Sequence, residues 1–148
     1  MANSVCEVLV TESALHAAER DNAVDAGAIV DFFGVVRNLE GDREVEGIQY
    51  EAHVAMAEHQ LRLIAGGGGE KFHLKKVVLH HRIGFVAAGE ASLFLRVTAP
   101  HRAAAFDGSK WIVDELKRKV PIWKKPVYVR QLLDAVPASL PAEQTLRI

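Results

Sequence analysis

The chain has 148 residues, 49% hydrophobic and 25% charged, with a formal net charge of -1 and a mean hydropathy of +0.06. That length suits one domain, residues 1–148, with a substantial core, and no run of about 18 apolar residues is present to span a membrane. Near-neutral charge also argues against nucleic acid, because nucleic-acid modules spread positive charge over a wider face.

The first residues, MANSVCEVLVTES, lack a basic segment followed by an apolar core, so no secretory signal is expected. The single cysteine, Cys6, excludes an internal disulfide and fits a reducing, cytoplasmic setting. It falls in the apolar run Val5 to Val10, which predicts a first strand, and reads as a small buried hydrophobe. Ser13 to Arg20 is a short helix candidate ended by Asp21-Asn22. Gly27 to Val36, rich in β-branched and aromatic residues, predicts a buried strand with a glycine inside. After the turn residues Asn38 to Asp42, the alternation from Val45 to Glu51 predicts a hairpin with that strand.

Met56, Leu61 and Ile64 mark a helix over Val54 to Ala65. Each glycine costs about 1 kcal/mol relative to alanine in a helix, so the run Gly66 to Gly69 is expected to end it as a flexible connector. Leu74 to Ile83 and Glu90 to Ala99 read as strands around a Gly84–Gly89 turn. A long helix follows from about His101 to Val120, with Phe106, Ile112, Val113, Leu116 and Val120 as its apolar face. The tail beyond Tyr128, with Pro137 and Pro141, reads as loop. Short hairpins and two main helices define an α+β fold with a largely antiparallel sheet.

Two familiar motifs fail on inspection. A phosphate-binding loop needs Lys-Ser or Lys-Thr after its glycines, and Glu70-Lys71-Phe72 follows instead. The seven histidines show no helical i, i+4 pair with a third ligand, so no metal is expected, and adjacent His80 and His81 must point to opposite faces of their strand.

Chemistry concentrates between Pro100 and Pro126. From Lys117 to Arg130 there are six basic residues and no acidic one. A bland cause exists, since cations near a helix C-terminus oppose its dipole. Lys110, Asp114 and Lys117 nevertheless share one stripe beside the apolar face, which predicts a half-buried Lys117 steadied by Asp114. Pro121 stops the helix, so the chain turns and can carry Lys124 back towards Lys117. Two neighbouring ammonium groups are one route to a lysine that works as an acid or base. At the other end, His101-Arg102 stands where free amides and a guanidinium suit a phosphate.

Five ordered blocks, GAIVDFFGVVRN, YEAHVAMAEHQL, HRIG, APHRAAAF and LKRKVPIWKK, resemble the large, catalytic subunit of molybdopterin synthase, the MoaE-like family, over residues 27–125. That resemblance implies an α/β hammerhead-type fold with a small additional antiparallel sheet. It implies a sulfurtransferase of molybdenum cofactor biosynthesis that needs no cofactor of its own. The substrate would be cyclic pyranopterin monophosphate, which receives two sulfurs as a dithiolene. The sulfur donor would be a small ubiquitin-like sulfur-carrier subunit ending in a Gly-Gly thiocarboxylate, bound to each end of a homodimer in a heterotetramer.

Residue by residue, the resemblance implies catalytic roles for Lys117 and Lys124, and substrate binding by Val35, Val36, Arg37, His101, Arg102, Lys117, Lys124 and Lys125. The contrasting expectation is a non-catalytic relative that keeps an anion pocket as a binding or scaffold protein. Three departures stand out: Pro126 where the family usually has a glutamate, a divergent tail at residues 126–148, and the glycine run where the family continues its helix.

Overall fold

The strands pair into two sheets. The computed structural model describes residues 4–130 and 146–148. In chain order the elements are β1 (Val5–Thr11), β2 (Ala28–Val35), β3 (Leu39–Glu40), β4 (Arg43–Ala52), α1 (Val54–Phe72), β5 (Lys76–Arg82), β6 (Gly84–Ala87), β7 (Ala91–Ala99), α2 (Arg102–Lys119), β8 (Ile122–Tyr128) and β9 (Leu146–Arg147). The first sheet has the order β1-β5-β7-β2, and the second runs β3-β4-β8-β9 with β6 also on β4. Among the described residues only the β1–β5 pairing is parallel, so the α+β, largely antiparallel architecture stands.

Period-two alternation gives the first sheet one face for the helices. Val77 and Leu79 on β5 and Leu93, Leu95 and Val97 on β7 share one core with Leu61 and Ile64 of α1 and Ile112 and Leu116 of α2. β5 then passes through Ile83 into β6, so the second sheet starts where the first ends, and Gly84 makes the turn with φ 81°.

Several expectations change. Residues 13–20 form no helix. Buried Arg96 grips Asp31 at 2.7 and 2.8 Å and donates to the carbonyls of Ala18 and Glu19. Those carbonyls are thereby satisfied without helical amides, and the segment lies as an irregular strap against the sheet's outer face. Strand β2 is an edge strand rather than a buried one, with Ile29, Phe32, Phe33 and Val35 between 37% and 52% exposed. The hairpin partner of β4 is the two-residue β3, not β2. Gly41, with φ 62°, occupies the turn between them, a backbone conformation that glycine adopts at no steric cost. Cys6 is exposed on edge strand β1, and partial desolvation pushes its thiol pKa up, away from nucleophilic use.

The largest correction concerns the glycines. Helix α1 runs through all four of them to Phe72 and closes at His73 in the left-handed region. A Cβ on Gly68 would stand 2.7 Å from Ile112 Cγ1 and 2.9 Å from its Cδ1, and one on Gly69 would collide with the Ser4 side chain. Gly68 and Gly69 therefore serve close packing of α1 on α2 and on the chain entering β1. Buried area recovered at these contacts offsets the propensity cost, as tertiary packing commonly does.

Helix α2 covers the predicted span, but its buried face is Ala105, Ser109, Ile112 and Leu116, while Phe106 is 62% exposed. The segment after it is a strand, β8, and the loop expected from Tyr128 onward lies, at residues 131–145, outside the described residues. Leu146–Arg147 pair with β8 as β9.

Candidate functional site

A cleft of about 180 Å³ opens where the two sheets meet the C-terminal end of α2. Val35, Val36 and Arg37 reach it from the end of β2, Lys117 and Leu116 from the last turns of α2, and Lys124 from β8. Five of the residues singled out from sequence thus converge on one space, although up to 89 positions separate them along the chain (35 to 124).

Why Lys117 is available follows from its neighbours. Glu115, buried at the end of α2, takes Lys119 at 2.6 Å and Arg118 at 3.1 Å. These two residues are the dipole-opposing helix end of the bland reading, and their pairing holds the Glu115 carboxyl below its usual range, chiefly through Lys119. Asp114, expected beside Lys117, binds Lys110 at 2.8 Å instead. Lys117 is exposed rather than half-buried, and no hydrogen bond or ion pair holds its ammonium among the described residues.

Lys124 is treated differently. Its ammonium lies 3.0 Å from a carboxylate oxygen of Glu40, with both side chains at least three-quarters buried. Lys124 therefore meets a carboxylate, for which the sequence carries no signal, and shares the cleft with Lys117. Lys125 occupies the opposite face of β8 by alternation and does not line the cleft. Pro126, opposite Ile48 in the ladder, is buried in the strand and likewise stays out of the cleft.

His101 and Arg102 are not brought to the site within one chain. His101 caps the start of α2 without a side-chain cap bond, and both residues are exposed. Arg102 and Lys117 are fifteen helical residues apart, or about 22 Å along the axis.

The cleft floor holds residues not singled out from sequence: Tyr50, His81 and Ser92. His81, 2% exposed, shares a 2.8 Å hydrogen bond between its Nδ1 and the Arg82 carbonyl; as that acceptor requires, Nδ1 is the donor. Burial pushes its pKa down to about 4, so it is a neutral imidazole at physiological pH. Tyr50 meets it edge-on at 5.4 Å, and burial above all, with the nearby Glu40 charge, pushes the Tyr50 phenol up while its bond to Ser92 opposes this. The HRIG block carries His81, but adjacency in a strand could not say which histidine faced inward. Glu40 had no sequence signal beyond its place before Gly41.

Among the lining side chains, Arg37, Lys117 and Lys124 against Glu40 leave an excess of two positive charges, over an uncharged floor. Such a site can receive a small anion, stabilise charge that develops on it, and move a proton through the unpaired lysine. No group of three or more possible metal-ligating side chains occurs among the described residues.

Fold and cleft together define a two-sheet α+β protein with an anion-receptive, two-lysine site. The family model described as MoaE protein matches residues 7–119; the chain belongs to this family. It is 40% identical to the human molybdopterin synthase catalytic subunit over 102 residues, 69% of this chain and 54% of that protein. The Thermoplasma volcanium protein of the same name is 36% identical over 130 residues, 86% of this chain and 93% of its relative. In structure, the chain is similar to the molybdopterin biosynthesis MoaE protein of Burkholderia ambifaria, with a TM-score of 0.72, 26% identity, and 88% and 95% of the two chains covered. The chain spans about half the length of the mammalian and plant relatives it matches.

Proposed function

We propose that this chain is the catalytic subunit of a molybdopterin synthase, a cytoplasmic sulfurtransferase that converts cyclic pyranopterin monophosphate to molybdopterin. The observation that carries this reading is the convergence of Arg37, Lys117 and Lys124 on one cleft, in a chain whose relatives bear the name catalytic subunit. That name implies a second component. The sulfur donor in this reading is a small ubiquitin-like subunit whose C-terminal Gly-Gly thiocarboxylate enters the cleft past Val35 and Val36.

Lys117, without an internal partner among the described residues, handles protons as the thiocarboxylate sulfur attacks, the cyclic phosphate opens, and water then cleaves the acyl–sulfur bond to release the small subunit's carboxylate. Lys124 stabilises the negative charge that develops, and Arg37 holds the phosphate by charge-assisted hydrogen bonds. His101 and Arg102 lie too far along α2 to reach their own cleft, so their phosphate-binding role requires a homodimer in which they serve the other copy's site. Lys125, on the far face of β8, would act on substrate only indirectly, through the strand that carries Lys124.

The test mixes the protein with a thiocarboxylated small subunit and cyclic pyranopterin monophosphate, and follows formation of the dithiolene product. Product formation supports the enzyme reading. Stable small-subunit binding without product would instead favour a scaffold that merely retains the anion pocket.

A further inference from the structure

Glu40 is the one acidic side chain among the described residues lining the cleft, and its place there is a product of backbone shape. On β4, Glu40 is registered opposite Arg43 and Lys124 opposite Tyr50. Seven residues of unbent strand would separate those two positions by about 23 Å, far beyond the joint reach of a glutamate and a lysine. The ladder of β4 is irregular between Val45 and Gly47, and such irregularities bend a strand. The bend lets the β3–β4 hairpin fold back over the cleft, where Glu40 closes to 3.0 Å on Lys124. The hairpin is held in that position: Gly41 makes its turn, Val45 N–H donates to the Asn38 carbonyl at 2.9 Å, and the Arg43 guanidinium stacks 3.8 Å above the Tyr128 ring.

A lysine has four rotatable side-chain bonds, and an unpaired ammonium samples many positions. Among the described residues the cleft contains both kinds, Lys117 without an internal partner and Lys124 with one. We propose that Glu40 is the positioning residue for Lys124, holding its ammonium inside the empty cleft and yielding it to the anionic group of an incoming ligand. Glu40 touches no reacting atom in this scheme. It acts through Lys124, by setting where that charge waits and by competing with the ligand for it. This inference rests on the cleft being the active site proposed above.

Two readouts test it independently. The first uses inorganic phosphate as the probe and needs no turnover. Replacing Glu40 by glutamine removes the competing charge but keeps the shape, so phosphate should bind about fivefold more tightly than to the wild type. The same replacement made on a Lys124→Ala background should change phosphate affinity little, because the charge being competed for is gone. The second readout is steady-state synthase turnover: Glu40→Gln should lower kcat about tenfold without raising KM, and Glu40→Asp should recover part of the loss. Unchanged or weaker phosphate binding in Glu40→Gln overturns the proposal, as does a wild-type kcat. A kcat loss that appears only together with a lowered melting temperature also overturns it, by making the role structural. If the wild type shows no synthase turnover, the functional reading fails while the phosphate measurement still decides the role of Glu40.

Discussion

The two ends of α2 carry basic residues of similar kind, yet they stand in different situations. At the C-terminal end, Arg118 and Lys119 are drawn to Glu115, and Lys117 is left to face a cleft shared with Arg37, Lys124 and Glu40. At the N-terminal end, His101 and Arg102 are exposed, about 22 Å away along the helix. At one end a single chain assembles a cleft around the charge, and at the other the charges stand exposed. A helix can place charge at both of its ends, but only surrounding elements turn a charge into a pocket.

The difference between the two ends is tested most severely by Lys117→Ala. Turnover should fall by at least about a hundredfold, while stability stays within about 0.5 kcal/mol of wild type because the side chain is exposed and unpaired. Near-normal turnover would remove Lys117 from the chemistry.

The contact that positions both ends comes next. Gly68→Ala forces a methyl against Ile112 of α2 and should cost about 1–3 kcal/mol in chemical denaturation. A neutral result would mean that the helices do not depend on that close approach.

The uncharged floor at the C-terminal end makes a pH prediction. Burial lowers the folded-state pKa of His81 from 6.5 to about 4, so the unfolded chain takes the proton first as pH falls. Stability from keeping His81 neutral is therefore complete above the unfolded value and is lost between 6.5 and about 4. The expected loss from about pH 7.5 to about pH 5 is about 2 kcal/mol. Urea titrations at the two pH values should show it, and His81→Gln should flatten the slope.

The N-terminal end is best tested by mixing subunits. Lys117→Ala and Arg102→Ala chains, each inactive alone, should regain about a quarter of wild-type turnover when reassembled together. Half of the dimers are then mixed, and each mixed dimer keeps one intact site. No recovery would place Arg102 in its own chain's site or outside the chemistry. The smallest effect serves as a control: Gly66, with nothing near its Cβ position, should tolerate alanine with a gain of up to about 1 kcal/mol.

Much of the fold was readable because the signals are local. Alternation marked β1 and β4, β-branched and aromatic content marked β2, a glycine-bounded turn set off β5 and β7, and the period of α2 gave its span to within a residue at each end. Misreadings arose where a distant partner overrode a local preference. The glycine run looks like a helix stop until Ile112 and Ser4 are placed against it. Residues 13–20 look helical until Arg96, on a strand far along the chain, takes their carbonyls. Phe106 fits a helical stripe, but the sheet contacts the stripe one residue around.

Local pattern specified the two helices and the strands β1, β2, β4, β5 and β7, the concentration of positive charge near the end of α2, and the five blocks that resemble a family. Those are properties of short range, set by side-chain period, backbone preference and ordered spacing. Tertiary structure alone decided which charges meet. It gave Asp114 to Lys110 rather than to Lys117, bent β4 so that Glu40 reaches Lys124, turned His81 rather than His80 into the cleft, and kept His101 and Arg102 apart from the site. Electrostatic pairing depends on separations of a few ångströms, and those are set by how sheets bend and helices pack, which no local pattern encodes.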